Sequence, residues 1–134
     1  MPHLIIEYSA NLDVDLDVAA LAKAVHQAAL GTGVFPIGGC RTRVARRDVY
    51  VIGDGHPENR FIHIQARIGS GRTADVRASA AEMIFACLKR ETADIFARAP
   101  LGLSMEIIEM APVGAMKHNN LHTIIERRQS GVTS

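Results

Sequence analysis

Apolar and polar residues alternate almost from the first position: Leu4, Ile6 and Tyr8 interleave with His3, Ile5 and Glu7, the period of two expected of a strand lying on a core. Ile5 interrupts the strict alternation, as happens when both faces of a strand are largely covered. A polar connection, Asp13 to Asp17, follows, and the period then lengthens. Val18, Leu21, Ala22, Val25 and Ala29 recur at helical spacing, with Asp17 placed to cap the first turn and Gly31 or Gly33 to end the helix. A strand over about Arg41 to Arg47 completes a β-α-β unit.

The same plan returns in the second half. Ile62, Ile64, Ala66 and Ile68 alternate with Phe61, His63, Gln65 and Arg67, then Ala80, Met83, Ile84, Cys87, Leu88 and Ile95 form one long helical stripe. A last strand runs from about Gly102 to Met110, with apolar positions on both sides. Tyr50 to Arg60, rich in Gly, Pro and Asn, reads as a linker with room for a short hairpin. Residues 1–134 therefore make a single domain of two similar halves, about 2–47 and 61–110, with a C-terminal extension over about 121–134. Leu121 to Arg128 has a helix-like pattern and 129–134 is polar; an interface strap or a frayed end fits this extension better than chemistry does.

Parallel strands need a crossover connection, and the helix inside each unit supplies one. The predicted class is α+β: tandem β-α-β units forming a four-stranded mixed sheet with two helices on one face. Leu4-Ile5-Ile6 and Met105-Ile107-Ile108 then ask for cover on the opposite face, most economically from other subunits.

Composition leaves this picture standing and narrows the function. With 48% hydrophobic and 22% charged residues the chain is ordinary globular material. Fifteen basic against fourteen acidic residues leave a formal net charge of +1, which gives no general nucleic-acid-binding surface. Any anion preference must be local. No signal-peptide pattern and no apolar run of membrane-spanning length is present, so a cytoplasmic location is expected, without membrane partners. Cys40 and Cys87 stand far apart without a second metal-ligand pair and read as buried thiols in a reducing compartment.

Chemistry begins at Pro2. Taken alone, a proline directly after Met1 reads first as the start of a strand, where its missing N–H does no harm; once Met1 is removed, it also offers a secondary amine able to act as a general base. An ordinary α-amino group titrates at about 7.7–8.0 and a secondary amine higher, so such a base needs desolvation or a nearby cation to work at neutral pH. Arg41, Arg43, Arg46 and Arg47 crowd one strand, and alternation puts Arg46 on the side opposite the other three. For Arg43, Arg46 and Arg47 the expectation is a solvated edge strand protected from aggregation by charge. Arg72 follows Gly69-Ser70-Gly71, either as a helix-start arginine in solvent or as a group brought to an anion by flexible glycines.

Several segments, in order and spacing, carry more. Pro2 through Ser9, Thr32-Gly33-Val34-Phe35-Pro36-Ile37-Gly38-Gly39-Cys40-Arg41-Thr42-Arg43, Asp54-Gly55, Phe61-Ile62-His63-Ile64, Ile68-Gly69-Ser70-Gly71-Arg72, Ser104-Met105-Glu106-Ile107 and Lys117-His118-Asn119-Asn120 resemble the 5-carboxymethyl-2-hydroxymuconate isomerase family. That family belongs to the tautomerase superfamily of 4-oxalocrotonate tautomerase and the macrophage migration inhibitory factor (MIF) fold, and the resemblance covers about residues 2–122. It implies a homotrimer, no cofactor, and a small polycarboxylate substrate from aromatic-compound (homoprotocatechuate) catabolism. It also implies catalytic roles for Pro2 as base and Arg41 as polarising cation, with Arg72 on a substrate carboxylate. Leu4, Ile6 or Phe35 would supply an apolar wall, and Phe35 is assigned with Arg72 to substrate binding. The alternatives are a tautomerase with another substrate and a trimeric, non-catalytic ligand-binding or signalling module of the same fold.

The remaining candidates are weaker. His118 and His122 are four apart without a third ligand nearby and read as structural or surface groups. His63 reads as a packed polar residue, and Glu7 as readily pairs with an arginine as does chemistry. Gly69-Ser70-Gly71-Arg72 lacks the lysine and glycine spacing of nucleotide loops.

Overall fold

A computed structural model describes residues 1–131; the final three residues of the polar tail, 132–134, lie outside the described residues. The chain order is β1 (His3–Ser9), α1 (Val18–Gly31), β2 (Arg41–Arg47), β3 (Arg60–Ile68), α2 (Ala74–Glu91), α3 (Ala93–Arg98), β4 (Leu101–Glu109) and α4 (Leu121–Gln129). The four strands form one sheet in the order β2-β1-β3-β4. Each β-α-β unit pairs its strands in parallel, and β1 and β3 join the two units in antiparallel fashion. The first strand of each half thus lies at the centre, and both faces of the repeat are legible in it.

Alternation sets the core. Leu4, Ile6, Ile62, Ile64 and Ala66 are fully buried beneath α1 and α2, joined by Leu21, Val25, Ala80, Ile84 and Leu88 from the helices. Full burial of each large aliphatic side chain contributes about 1.5–3 kcal/mol, which makes this interface the main source of stability. The helix starts are capped as the sequence suggests: Asp17 accepts from the Ala20 N–H at 3.1 Å, and Thr73 from the Val76 N–H at 3.2 Å. The first helix ends at Gly31, while Gly33 takes a left-handed φ of 73° in the turn beyond.

Three expectations change. The long stripe from Ala80 to Ile95 is two helices, because the Thr92 hydroxyl donates to the Leu88 carbonyl at 2.7 Å and α3 restarts from there; Met83 is 45% exposed instead of packed. The linker from Tyr50 to Arg60 is a succession of turns without a hairpin, held by Asn59 Nδ2 on the Ile52 carbonyl and Asp54. The face of the sheet opposite the helices is more polar than the apolar runs suggested. Leu4, Ile6, Met105 and Ile107 all turn toward the helices, leaving Ile5, Ala45, Phe61 and Ile108 among His3, Glu7, Arg43, Arg47, His63, Gln65, Arg67, Ser104 and Glu106. No helix among the described residues is long and apolar enough to cross a membrane.

Candidate active site

The N-terminus sits where three chain turns converge. Pro2 is buried at the head of β1, and its carbonyl accepts the Arg41 N–H at 3.0 Å, so the first residue of β2 is fixed beside it. The turn before β2 closes through Gly39 N–H to the Pro36 carbonyl at 3.0 Å. From the other half, the loop after β3 approaches with Gly69, Ser70 and Arg72, and Gly71 takes a φ of 110° that a side chain would strain. The third contribution comes from beyond β4: residues 111–122 fold back over the N-terminus.

Two cavities meet there. One, of about 240 Å³, is lined by Met1, Pro2, Pro36, Gly39, Gly69, Ser70, Arg72, Lys117 and His122. Its neighbour, of about 290 Å³, has His3, Met110, Ala111, Pro112, Ala115 and Met116 in its wall and shares Met1, Gly69, Ser70 and Lys117 with the first. Met1 is therefore part of the partition between them.

The electrostatics are one-sided. The Met1 amine lies below its ordinary value of 8.0, first through burial and then through the positive charges of Lys117, Arg72 and Arg41. Arg41 donates to the Gly39 carbonyl at 2.9 Å; Arg72 donates to the carbonyls of Gly69 at 3.2 Å and Val34 at 3.1 Å. These acceptors orient the guanidiniums without neutralising them. Among the described residues, no carboxylate lies within ion-pair distance of Arg41, Arg72 or Lys117, whereas Arg46, Arg47, Arg60, Arg77 and Arg98 all have one. Glu109, which approaches the loop through the Gly71 N–H at 3.2 Å, is engaged by Arg77. An array of unneutralised cations around a desolvated amine is built to receive a polyanion.

The sequence candidates fall in different places. Pro2 and Arg72 line the smaller cavity. Arg41 reaches the amine by its charge and its backbone bond to Pro2, while its side chain lines the adjoining open cleft with Lys23, His26, Cys40 and Thr42. Phe35, expected at the substrate, is 5% exposed in the core, and its ring lies beneath Arg72, 5.4 Å from the guanidinium carbon to the ring centroid. It supports the arginine by a cation–π contact and is not among the residues lining the cavity. Leu4 and Ile6 are wholly in the core and form no part of the cavity wall. The other strand arginines are engaged: Arg43 with His3, Arg46 with Asp13 and Asp48, Arg47 with Glu7. His63 bonds Ser104 at 2.7 Å, on the open sheet face. Cys40 and Cys87 are both free and buried, and burial pushes both thiols up.

Sequence reasoning missed Lys117 and His122. The resembling segment Lys117-His118-Asn119-Asn120 was the available signal, but its distance along the chain from Pro2 concealed its place at the site.

A sheet of this order, with a helix in each β-α-β unit and an N-terminal pocket between the halves, defines the tautomerase fold. A fused 4-OT protein described as a symmetric trimer shares it, at a TM-score of 0.56 and 15% identity, covering 86% of this chain and 94% of that one. The chain belongs to the 5-carboxymethyl-2-hydroxymuconate isomerase family, whose model matches residues 2–125. It is 35% identical over 126 residues to the 5-carboxymethyl-2-hydroxymuconate Delta-isomerase of Escherichia coli, covering 94% of this chain and all of that one. The crystal structure of a 5-carboxymethyl-2-hydroxymuconate isomerase from Deinococcus radiodurans R1 superposes with a TM-score of 0.85 at 35% identity, covering 91% of this chain and 92% of that one.

Proposed function

We propose that this isomerase shifts a double bond in 5-carboxymethyl-2-hydroxymuconate, or a closely similar unsaturated hydroxy or keto polycarboxylate of aromatic-compound catabolism, with Pro2 as general base. Loss of Met1 leaves the Pro2 nitrogen as a secondary amine and opens the partition between the two cavities. The amine takes the proton of the 2-hydroxyl group, the oxygen electrons become the carbonyl, the conjugated double bond moves, and the proton is returned to a carbon of the same chain. Substrate and product have the same composition, so the amine is regenerated without an oxidant or reductant. Arg41, from the adjoining cleft, supplies positive charge toward the oxygen on which charge develops, and Arg72 holds a carboxylate through its free donors while Phe35 fixes its plane.

The observation that carries this reading is the placement of Pro2 in the cavity wall with Arg72 and Lys117, its carbonyl bonded to the Arg41 N–H; the same three cations, after burial, lower the amine of Met1 that precedes it. His3 and His122 are the other titratable groups nearby, and Glu109 stands behind Gly71. Because an amine base works when unprotonated, turnover rises with pH through its pKa, and a lowered pKa brings that rise toward neutrality. The test is mass spectrometry of the native N-terminus together with kinetics of processed Pro2→Ala. Turnover should drop at least about tenfold, more than substrate affinity, since a placed base is worth about 10²–10⁴-fold and a primary amine replaces it only in part. Undiminished turnover in the variant removes Pro2 from the mechanism, and retained Met1 in the native protein favours the non-catalytic ligand-binding module.

A further inference from the structure

The C-terminal return is anchored independently of the group it presents. Upstream, the Met110 N–H extends the β3–β4 ladder onto the Ile68 carbonyl at 2.7 Å. Downstream, Asn119 Nδ2 donates to the Gly38 carbonyl at 3.0 Å, and its Oδ1 accepts the Leu121 N–H at 2.8 Å. The start of α4 then presses on the same turn so closely that a Cβ on Gly38 would lie 2.8 Å from both the backbone nitrogen and the Cα of His122. Between these anchors stands Lys117, which lines both cavities and has no acidic partner among the described residues. Beside it the wall of the larger cavity carries Met110, Ala111, Pro112, Ala115 and Met116, together with His3 and Ser70. The arrangement is a strap that carries one cation to the rim of a recess of mixed polarity.

The substrate in the proposed reaction has three carboxylates, one at each end of the muconate chain and one on the carboxymethyl branch. Arg41 and Arg72 come from the two β-α-β halves; Arg72 serves one chain-end carboxylate, and Arg41 the 2-oxygen with the carboxylate beside it, so a branch needs a further charge and extra room. We propose that Lys117 on the C-terminal strap binds the branch carboxylate and makes the enzyme prefer a branched tricarboxylate to the unbranched dicarboxylate. This rests on the reading above for its substrate, though the charge and its placement stand apart from the identity of the base. An ammonium on a flexible stem suits a carboxylate whose branch rotates, where a rigid guanidinium fork suits the chain ends.

The experiment compares wild-type protein, Lys117→Met and Lys117→Arg on 5-carboxymethyl-2-hydroxymuconate and on unsubstituted 2-hydroxymuconate, at a pH where the amine is unprotonated in all three. Lys117 is exposed and the strap is held by Asn119 and His122, so the fold should be retained, as thermal unfolding will show. The preference for the branched compound, as a ratio of kcat/KM values, should drop about three- to fivefold in Lys117→Met, the size expected at the upper end for a solvent-accessible ion pair, and return largely in Lys117→Arg. An unchanged ratio overturns the assignment, even if both compounds are turned over more slowly. If the wild type converts neither compound, the proposed reaction fails and Lys117 is judged by binding alone. Calorimetry with propane-1,2,3-tricarboxylate and glutarate should then show a wild-type preference for the tricarboxylate that Lys117→Met loses; no preference, or one retained in the variant, overturns the assignment.

Discussion

Arg41 and Arg46 lie on one strand, five residues apart, and their neighbours give them opposite roles. Arg46 turns toward the helix side, where Nε bonds Asp13 at 2.5 Å and a second nitrogen reaches Asp48. Arg41 has a backbone carbonyl for its partner and the terminal amine in its field. Arg41→Ala should lower kcat/KM about a hundredfold, in the range of removing one transition-state hydrogen-bond donor, while Arg46→Ala should stay within about twofold. The pH profile adds a sign: loss of a positive charge near the amine raises its pKa, so the rising limb should move to higher pH in Arg41→Ala and stay in place in Arg46→Ala. Equal kinetic losses and no movement of the limb would mean that the strand acts as a diffuse field. Alternation along the strand separated these two residues from sequence alone. It could not show that Phe35 lies behind Arg72, because a phenylalanine beside a glycine turn has the same pattern whether it lines a pocket or supports its wall.

Among the elements, strands and helix starts were the most legible, since period and capping are local properties. The break at Thr92 was hidden for a physical reason: Leu88 and Ile95 are seven residues apart, in phase for one continuous helix, and the hydroxyl bond that ends α2 leaves that phase intact. The return of residues 111–122 was hidden for another, because nothing local in a segment with Pro112 and Gly114 specifies which distant turn it meets. Gly38 is the point to probe. Its φ is not in the left-handed region, so alanine is tolerated by the backbone and resisted only by His122. Gly38→Ala should push the strap off the turn, raise KM several-fold and speed proteolysis within residues 111–120, while thermal unfolding of the core moves little. A KM and a cleavage rate equal to wild type would show that the start of α4 accommodates the methyl group.

At the scale of the molecule, the sheet leaves one broad face without helices. The expectation of a largely apolar face overstated the hydrophobic drive for assembly, because alternation turned most of the aliphatic residues inward. What remains is Ile5, Phe61 and Ile108 among ion pairs, together with Val49 and Val51, which are 94% and 86% exposed beside β2. These uncovered groups are the ground for proposing assembly, and the homotrimer expected from the sequence is the state to test. Sedimentation equilibrium should give three times the 14.5 kDa chain mass, with activity in that species. A stable active monomer would remove the assembly altogether, and a dimer would keep the need for cover and refute the number three.

The position of the strap at the far end of the chain has a consequence for biosynthesis. The residues that close over Met1 from the C-terminal side, 111–122, are translated after both β-α-β units, so this part of the enclosure is absent throughout their synthesis. At about 5–20 residues per second, the roughly 110 residues before the strap take on the order of 6–22 s. If Met1 is excised as proposed, its access is freest before this strap is made. Under the proposed mechanism, protein made faster than its methionine is excised should fold and be inactive, and a tag fused ahead of Pro2 should do the same permanently.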